Sequence, residues 1–145
     1  MLEDELHYLL LAAFSQSSRG INDEAKKLGL TPGQPKVLEY LLEHDGGEAR
    51  GICRMFSLDR STVASILLRM EKRGLIARTD DAADRRVQHI WLTDEGRKLA
   101  EDMKKRILAF DERFWQDIPK EDLEATCRVL RRLGRTDGKD AADGR

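Results

Sequence analysis

Between Arg50 and Arg78 seven basic residues, Arg50, Arg54, Arg60, Arg69, Lys72, Arg73 and Arg78, meet only two acids, Asp59 and Glu71. Inside that stretch Ser61, Thr62, Ser65 and Arg69 recur at intervals that place them on one side of a helix, with Arg60 at its start. Short hydroxyls reach phosphate oxygens or base edges at close approach, and a guanidinium such as that of Arg69 suits a phosphate or a guanine edge. Arg85 and Arg86 make a second basic spot, of a kind that enters a narrow minor groove where negative potential is strongest. The plainer alternative is that both arginines solubilise a loop or pair with Asp80, Asp81 and Asp84.

The charge is local, because the 145 residues together carry a net charge of -1, with acids such as Glu3, Asp4, Glu5, Asp23 and Glu24 outside the basic stretch. A confined basic region in a neutral chain fits one specific contact with duplex DNA better than general adhesion to polyanions. A 40% hydrophobic content suffices for one core, and 37% charged residues with three prolines favours helices over a sheet sandwich. Cys53 and Cys127 have neither a disulfide-framework nor a metal-ligand spacing and imply a reducing compartment. His7, His44 and His89 lie on separate expected elements, so no metal and no cofactor is called for. The N-terminus lacks a secretion signal and no apolar run has a membrane span's length, which places the chain in the cytoplasm with no membrane partner. Paired carboxylates, an activated nucleophile and a phosphate-cradling glycine loop are all missing, which argues against an enzyme.

The elements that must position these residues follow from periodicity. Leu6, Leu9, Leu10 and Phe14, then Ile21, Ala25 and Leu28, predict one long helix weakened near Gly20 and closed by Gly29. Thr31-Pro32-Gly33-Gln34 predicts a second helix with Thr31 as N-cap and Pro32 at its first position, burying Val37, Leu38, Leu41 and Leu42. A short third helix over 48–56 should bury Ile52, Met55 and Phe56. After a turn at Ser57-Leu58, Asp59 should cap a fourth whose Val63, Ile66, Leu67 and Met70 face the core. Residues 75–79 and 87–92 read as two strands joined by a charged tip. Thr93 caps a long fifth helix, Pro119 opens a sixth along Leu123, Cys127, Leu130 and Leu133, and residues 136–145 read as a disordered tail.

A short helix, a turn, a helix with a polar outer face and a charged hairpin form, in that order, a winged helix-turn-helix. The segments LTPGQPKVLEYL, DRSTVASILLRMEKRGLIAR and DRRVQHIWLTDEGR stand in the order and spacing of the MarR (multiple-antibiotic-resistance regulator) family, which the chain resembles from about Leu30 to Ala100. The most specific element is the wing signature, Asp84-x-Arg86 followed after five residues by Leu92-Thr93. The resemblance implies a homodimer with interlocked terminal helices, a small-molecule effector site between the dimer region and the DNA lobe, a helix from Asp59 in the major groove, and wing arginines on the minor groove or phosphates. This chain departs from the family in having Ser57 where a glycine is usual and Cys53 where alanine is common. It also lacks the cysteine that redox-sensing members carry near the start of the first helix.

The expected fold is therefore mainly α with a small β-hairpin wing. One domain spans 1–135, in which 1–30 and 98–135 dimerise and 31–97 form the winged helix-turn-helix. The expected function is a sequence-specific, double-stranded-DNA-binding transcription regulator, a ligand-responsive homodimeric repressor on a pseudo-palindromic operator. Arg60, Ser61, Thr62, Ser65, Arg69, Arg85 and Arg86 are its DNA-binding residues. Phe14, Tyr40 and Met103 are effector-site candidates by position. The competing reading is a winged-helix protein-interaction module that reads no DNA.

Overall fold

The computed structural model describes residues 1–134, so the expected tail at 136–145 lies outside the described residues. Helix α1 spans Leu6–Lys27, α2 Gln34–Glu43, α3 Ala49–Phe56 and α4 Arg60–Lys72. Strands β1, Ile76–Asp80, and β2, Gln88–Leu92, follow, then α5, Asp94–Phe114, and α6, Lys120–Gly134. Two compact units divide the chain, one of Met1–Phe110 and one beginning at Asp111. A mainly helical chain with a two-stranded antiparallel wing is what the periodicity predicts, each strand starting one residue later than expected.

In the first unit the apolar stripes of α2, α3, α4 and α5 converge. Val37, Leu38, Leu41, Ile52, Val63, Met70, Leu75 and Met103 are fully buried, joined by Leu67 and Ile90. Met55, expected inside, is 53% exposed, because α3 has room for one fully buried face and Ile52 holds it. Helix α2 starts at Gln34, two residues later than expected, with Pro35 rather than Pro32 in its first turn. The capping exchange survives in half: the Gln34 side-chain oxygen accepts from the Thr31 backbone N–H at 3.1 Å, while Gly33 with φ 91° occupies the N-cap place.

Helix α1 runs unbroken through Gly20, which is no weak point. A Cβ there would lie 2.0 Å from the Phe110 ring, so the glycine is required by the close approach of α5. At the other end of α1, Arg73 donates to the Gly29 carbonyl at 2.5 Å and to that of Leu28 at 3.3 Å. A cation on orphan carbonyls satisfies the helix terminus and fastens the end of α4 to it.

Candidate nucleic-acid interface

The turn between α3 and α4 needs one residue in the left-handed region, and Ser57 supplies it with φ 52° and ψ 44°. The chain then reverses, with Leu58 N–H donating to the Cys53 carbonyl at 3.0 Å. Asp59 caps α4 as its sequence predicts: one carboxylate oxygen accepts from Thr62 N–H at 2.7 Å and from the Ser61 hydroxyl at 2.9 Å. These bonds, the Thr62 backbone donor first, hold the Asp59 carboxyl below its ordinary range and keep it ionised. The Ser61 proton is thereby committed, which leaves that hydroxyl as an acceptor toward solvent.

With Val63, Ile66, Leu67 and Met70 turned inward, the rest of α4 faces out. Arg60, Ser61, Thr62, Ser65 and Arg69 are all exposed on that side. Between them stand Ala64 and Leu68, the latter 50% exposed, apolar groups that a search for polar residues passes over. The sequence carried no signal for it, since a single exposed leucine is ordinary on a protein surface.

The wing is built by its own carboxylates. β1 and β2 pair antiparallel from Ile76 with Leu92 to Asp80 with Gln88. At the tip one Asp81 oxygen accepts from Ala83 N–H at 2.9 Å and Asp84 N–H at 3.0 Å. Asp84 in turn receives Arg86 three times, from its backbone N–H at 2.9 Å and from Nε and Nη2 at 3.1 Å each. Arg86 is thus braced by Asp84 although its side chain is 90% exposed. Arg85 is exposed and has no ion-pair partner among the described residues. Of the pairings the sequence allowed at the tip, Arg86 with Asp84 is the one formed.

Two further ties fix the wing's root. Arg78 of β1 donates to Glu71 of α4 at 2.5 Å, which links the hairpin to the helix. Asp45, in the loop after α2, accepts Leu92 N–H at 2.8 Å and also pairs with Arg97 of α5. The same loop continues the sheet: Gly46 N–H donates to the Ile90 carbonyl at 2.8 Å and Ile90 N–H to that of Gly47 at 2.9 Å. Trp91 lies across Gly46, where a Cβ would meet its ring at 2.5 Å, and its indole N–H donates to Thr79 Oγ1 at 2.9 Å.

A half-open hollow of about 250 Å³ lies elsewhere in the first unit, walled by Phe14, Ile21, Pro35 and Phe56 with Ser17, Asn22 and Lys36 among its polar groups. Of the three residues proposed by position, Phe14 lines it. Tyr40 does not, because it fills the space over Gly47 and Gly51, and Met103 does not, because it is sealed in the core. Among the described residues no helix is long and apolar enough to cross a membrane.

The sequence profile of the MarR family matches residues 28–87. The chain is 32% identical over 107 residues to the transcriptional regulator HosA of Escherichia coli O157:H7, covering 74% of this chain and 79% of that one. It is 28% identical over 132 residues to the transcriptional repressor MdtR of Bacillus subtilis, covering 91% and 85%. The structure of CouR from Rhodococcus jostii RHA1 bound to p-coumaroyl-CoA superposes with a TM-score of 0.83 at 30% identity, over 92% of this chain and 94% of that one. A capped helix with a polar outer face, a wing pinned to it, and these relatives agree: the chain belongs to the MarR family of transcriptional regulators.

Proposed function

We propose that the protein is a cytoplasmic, homodimeric repressor that lays α4 in the major groove of a pseudo-palindromic operator and its wing along the adjacent minor groove or phosphates. The outer face of α4 carries this reading. It offers hydroxyls, a guanidinium and the apolar Leu68 on a rigid cylinder, the mixture that base edges and thymine methyls require in a groove about 12 Å wide. Ser61, Thr62, Ser65 and Arg69 take base edges or phosphates, and Arg60 sits at the helix start against the backbone. Arg85 and the braced Arg86 supply charge from the wing. The hollow beside Phe14 and Phe56, with Lys36 on its rim, is the effector site, of a size for an aromatic acid or part of its thioester. Selection of bound sequences from a random duplex library tests the whole reading: a palindromic motif is expected, and a pool that stays unenriched would favour a protein-interaction module.

The wing arginines are expected to contribute charge rather than base identity. Arg85→Ala and Arg86→Ala should each weaken the selected and a scrambled duplex alike and reduce the salt slope by about one. Asp84→Ala should reproduce the Arg86→Ala defect, since it removes the brace. Salt titrations of each variant on both duplexes check this, and wild-type slopes throughout would remove the wing from the interface.

Dimerisation follows from what the terminal helices leave uncovered. Leu6, Leu9, Leu10, Leu11 and Phe14 of α1 are between 47% and 74% exposed, and Leu130 and Leu133 of α6 are also open. A second copy is the partner that buries such rows. Light scattering should give twice the chain mass at micromolar concentration, and a monomer there would refute the dimer.

A further inference from the structure

His89 lies on β2, half-buried under the wing, and both of its ring nitrogens face acceptors. Nδ1 is 2.8 Å from the Gly46 carbonyl oxygen in the loop after α2, and Nε2 is 2.8 Å from Asp81 Oδ1 at the wing tip. A carbonyl oxygen can only accept, and so can an ionised carboxylate. A neutral imidazole has one N–H and can satisfy one of the two, whereas the imidazolium donates to both. The ring therefore bridges the loop between α2 and α3 to the residue whose other oxygen folds the wing turn. From Asp81 the turn leads directly to Asp84 and hence to Arg86.

We propose that His89, as an imidazolium, is the positioning residue that locks the wing tip onto the helix-turn-helix, so that its deprotonation frees the wing and weakens duplex binding. This rests on the assignment of the wing to DNA made above.

The charges around the ring favour the lock. On the wing Asp81 accepts directly, while Asp80 is taken up by Gln88. A second hollow, separate from the one beside Phe14, is lined by His89; from the start of α3 Glu48 faces it, paired at 2.6 Å with Arg50, and Arg54 of the same helix lines it too. From α2 the Tyr40 hydroxyl lines it, with the His44 ring against Tyr40 at 4.7 Å between centroids. In the loop, Asp45 is committed to Leu92 and Arg97. The Asp81 bond first, then the Gly46 carbonyl, hold the His89 pKa above its ordinary 6.5, while His89 holds Asp81 below its ordinary 3.8. A raised folded-state pKa gives stabilisation that is full below the unfolded value and is lost as pH rises through the folded one. A lowered carboxylate pKa gives the reverse, lost as pH falls through Asp81's folded value. The lock is thus closed in mild acid and opens on the alkaline side of His89's folded pKa.

The test combines the ring's own titration with binding. Proton NMR of the full chain should show His89 titrating above the ordinary 6.5, and Asp81→Asn should bring its midpoint down toward that value. Affinity for a duplex recovered by selection, measured from pH 5.5 to 8.5 at constant ionic strength, should fall roughly three- to tenfold through that midpoint, the loss of about one ordinary hydrogen bond. His89→Gln should bind at the weakened level throughout and lack the step. His89→Lys, which keeps the charge but has one nitrogen in place of two opposed donors, should resemble His89→Gln. A His89 midpoint at or below the ordinary 6.5 overturns the lock. So does an unchanged pH step in His89→Gln, or full low-pH affinity at every pH in His89→Lys. Should no duplex bind at any pH, the DNA reading falls and this role with it, while a raised His89 midpoint would still mark that failure as separate from one of the bridge.

Discussion

Ser65→Glu should abolish specific binding, lowering operator affinity by about two orders of magnitude or more, while leaving the fold and the dimer intact. Ser65 is exposed near the middle of α4 on the side opposite the core stripe, and the substitution removes no contact. On this helix face a carboxylate would meet phosphate oxygens or base acceptors, and like charges brought together at an interface cost several kcal/mol. At about 1.4 kcal/mol per tenfold in affinity, two such units already exceed what the loss of a single hydroxyl contact would produce. Circular dichroism and thermal unfolding should match wild type, and fluorescence anisotropy on the selected duplex should show the loss. Retention of wild-type affinity would place the interface on another face.

The orientation that this prediction depends on was legible from sequence because it is local. Asp59, three residues before Thr62, and an apolar stripe at helical spacing are enough to fix which side of α4 faces out. Less local features were not legible. Gly20 reads as a weak spot until Phe110, ninety positions along, is seen against it. Asp45 reads as the end of a helix, yet its carboxylate holds residues 47 and 52 positions away. Helical phase likewise gives a residue's side of a helix but not which other element meets it there. Hence position offers Phe14, Tyr40 and Met103 alike as effector-site candidates, and of the three Phe14 alone lines the hollow. His89 has no spacing partner at all, and its significance lies in two acceptors brought to it by separate loops.

Gly96→Ala should be the most disruptive single-methyl change in the first unit, destabilising it by about 2–3 kcal/mol. A Cβ at Gly96 would stand 1.9 Å from the Leu75 carbonyl oxygen, and the obstacle is backbone, so no rotamer relieves it. That carbonyl also accepts Thr93 N–H at 3.1 Å, and the Thr93 hydroxyl both accepts from Gly96 N–H at 3.0 Å and donates to the Gly74 carbonyl at 2.6 Å. The clash falls on the joint where the hairpin leaves α4 and returns into α5. Lower stability and weaker duplex binding should therefore appear together. Urea unfolding at constant pH checks the first and anisotropy the second. Wild-type stability in Gly96→Ala would show that the joint has slack that the geometry denies.

Trp91 gives the wing a voice of its own. The indole is 42% exposed, rests on Gly46 and is bonded to Thr79 across the hairpin, so its surroundings change whenever the hairpin shifts against the loop after α2. The chain has two tryptophans, and the other, Trp115, belongs to the second unit, edge-on to Phe114. With Trp115 replaced by phenylalanine, the remaining emission comes from the hinge of the wing, and the motion that operator binding and protons are held to govern becomes visible without an added dye.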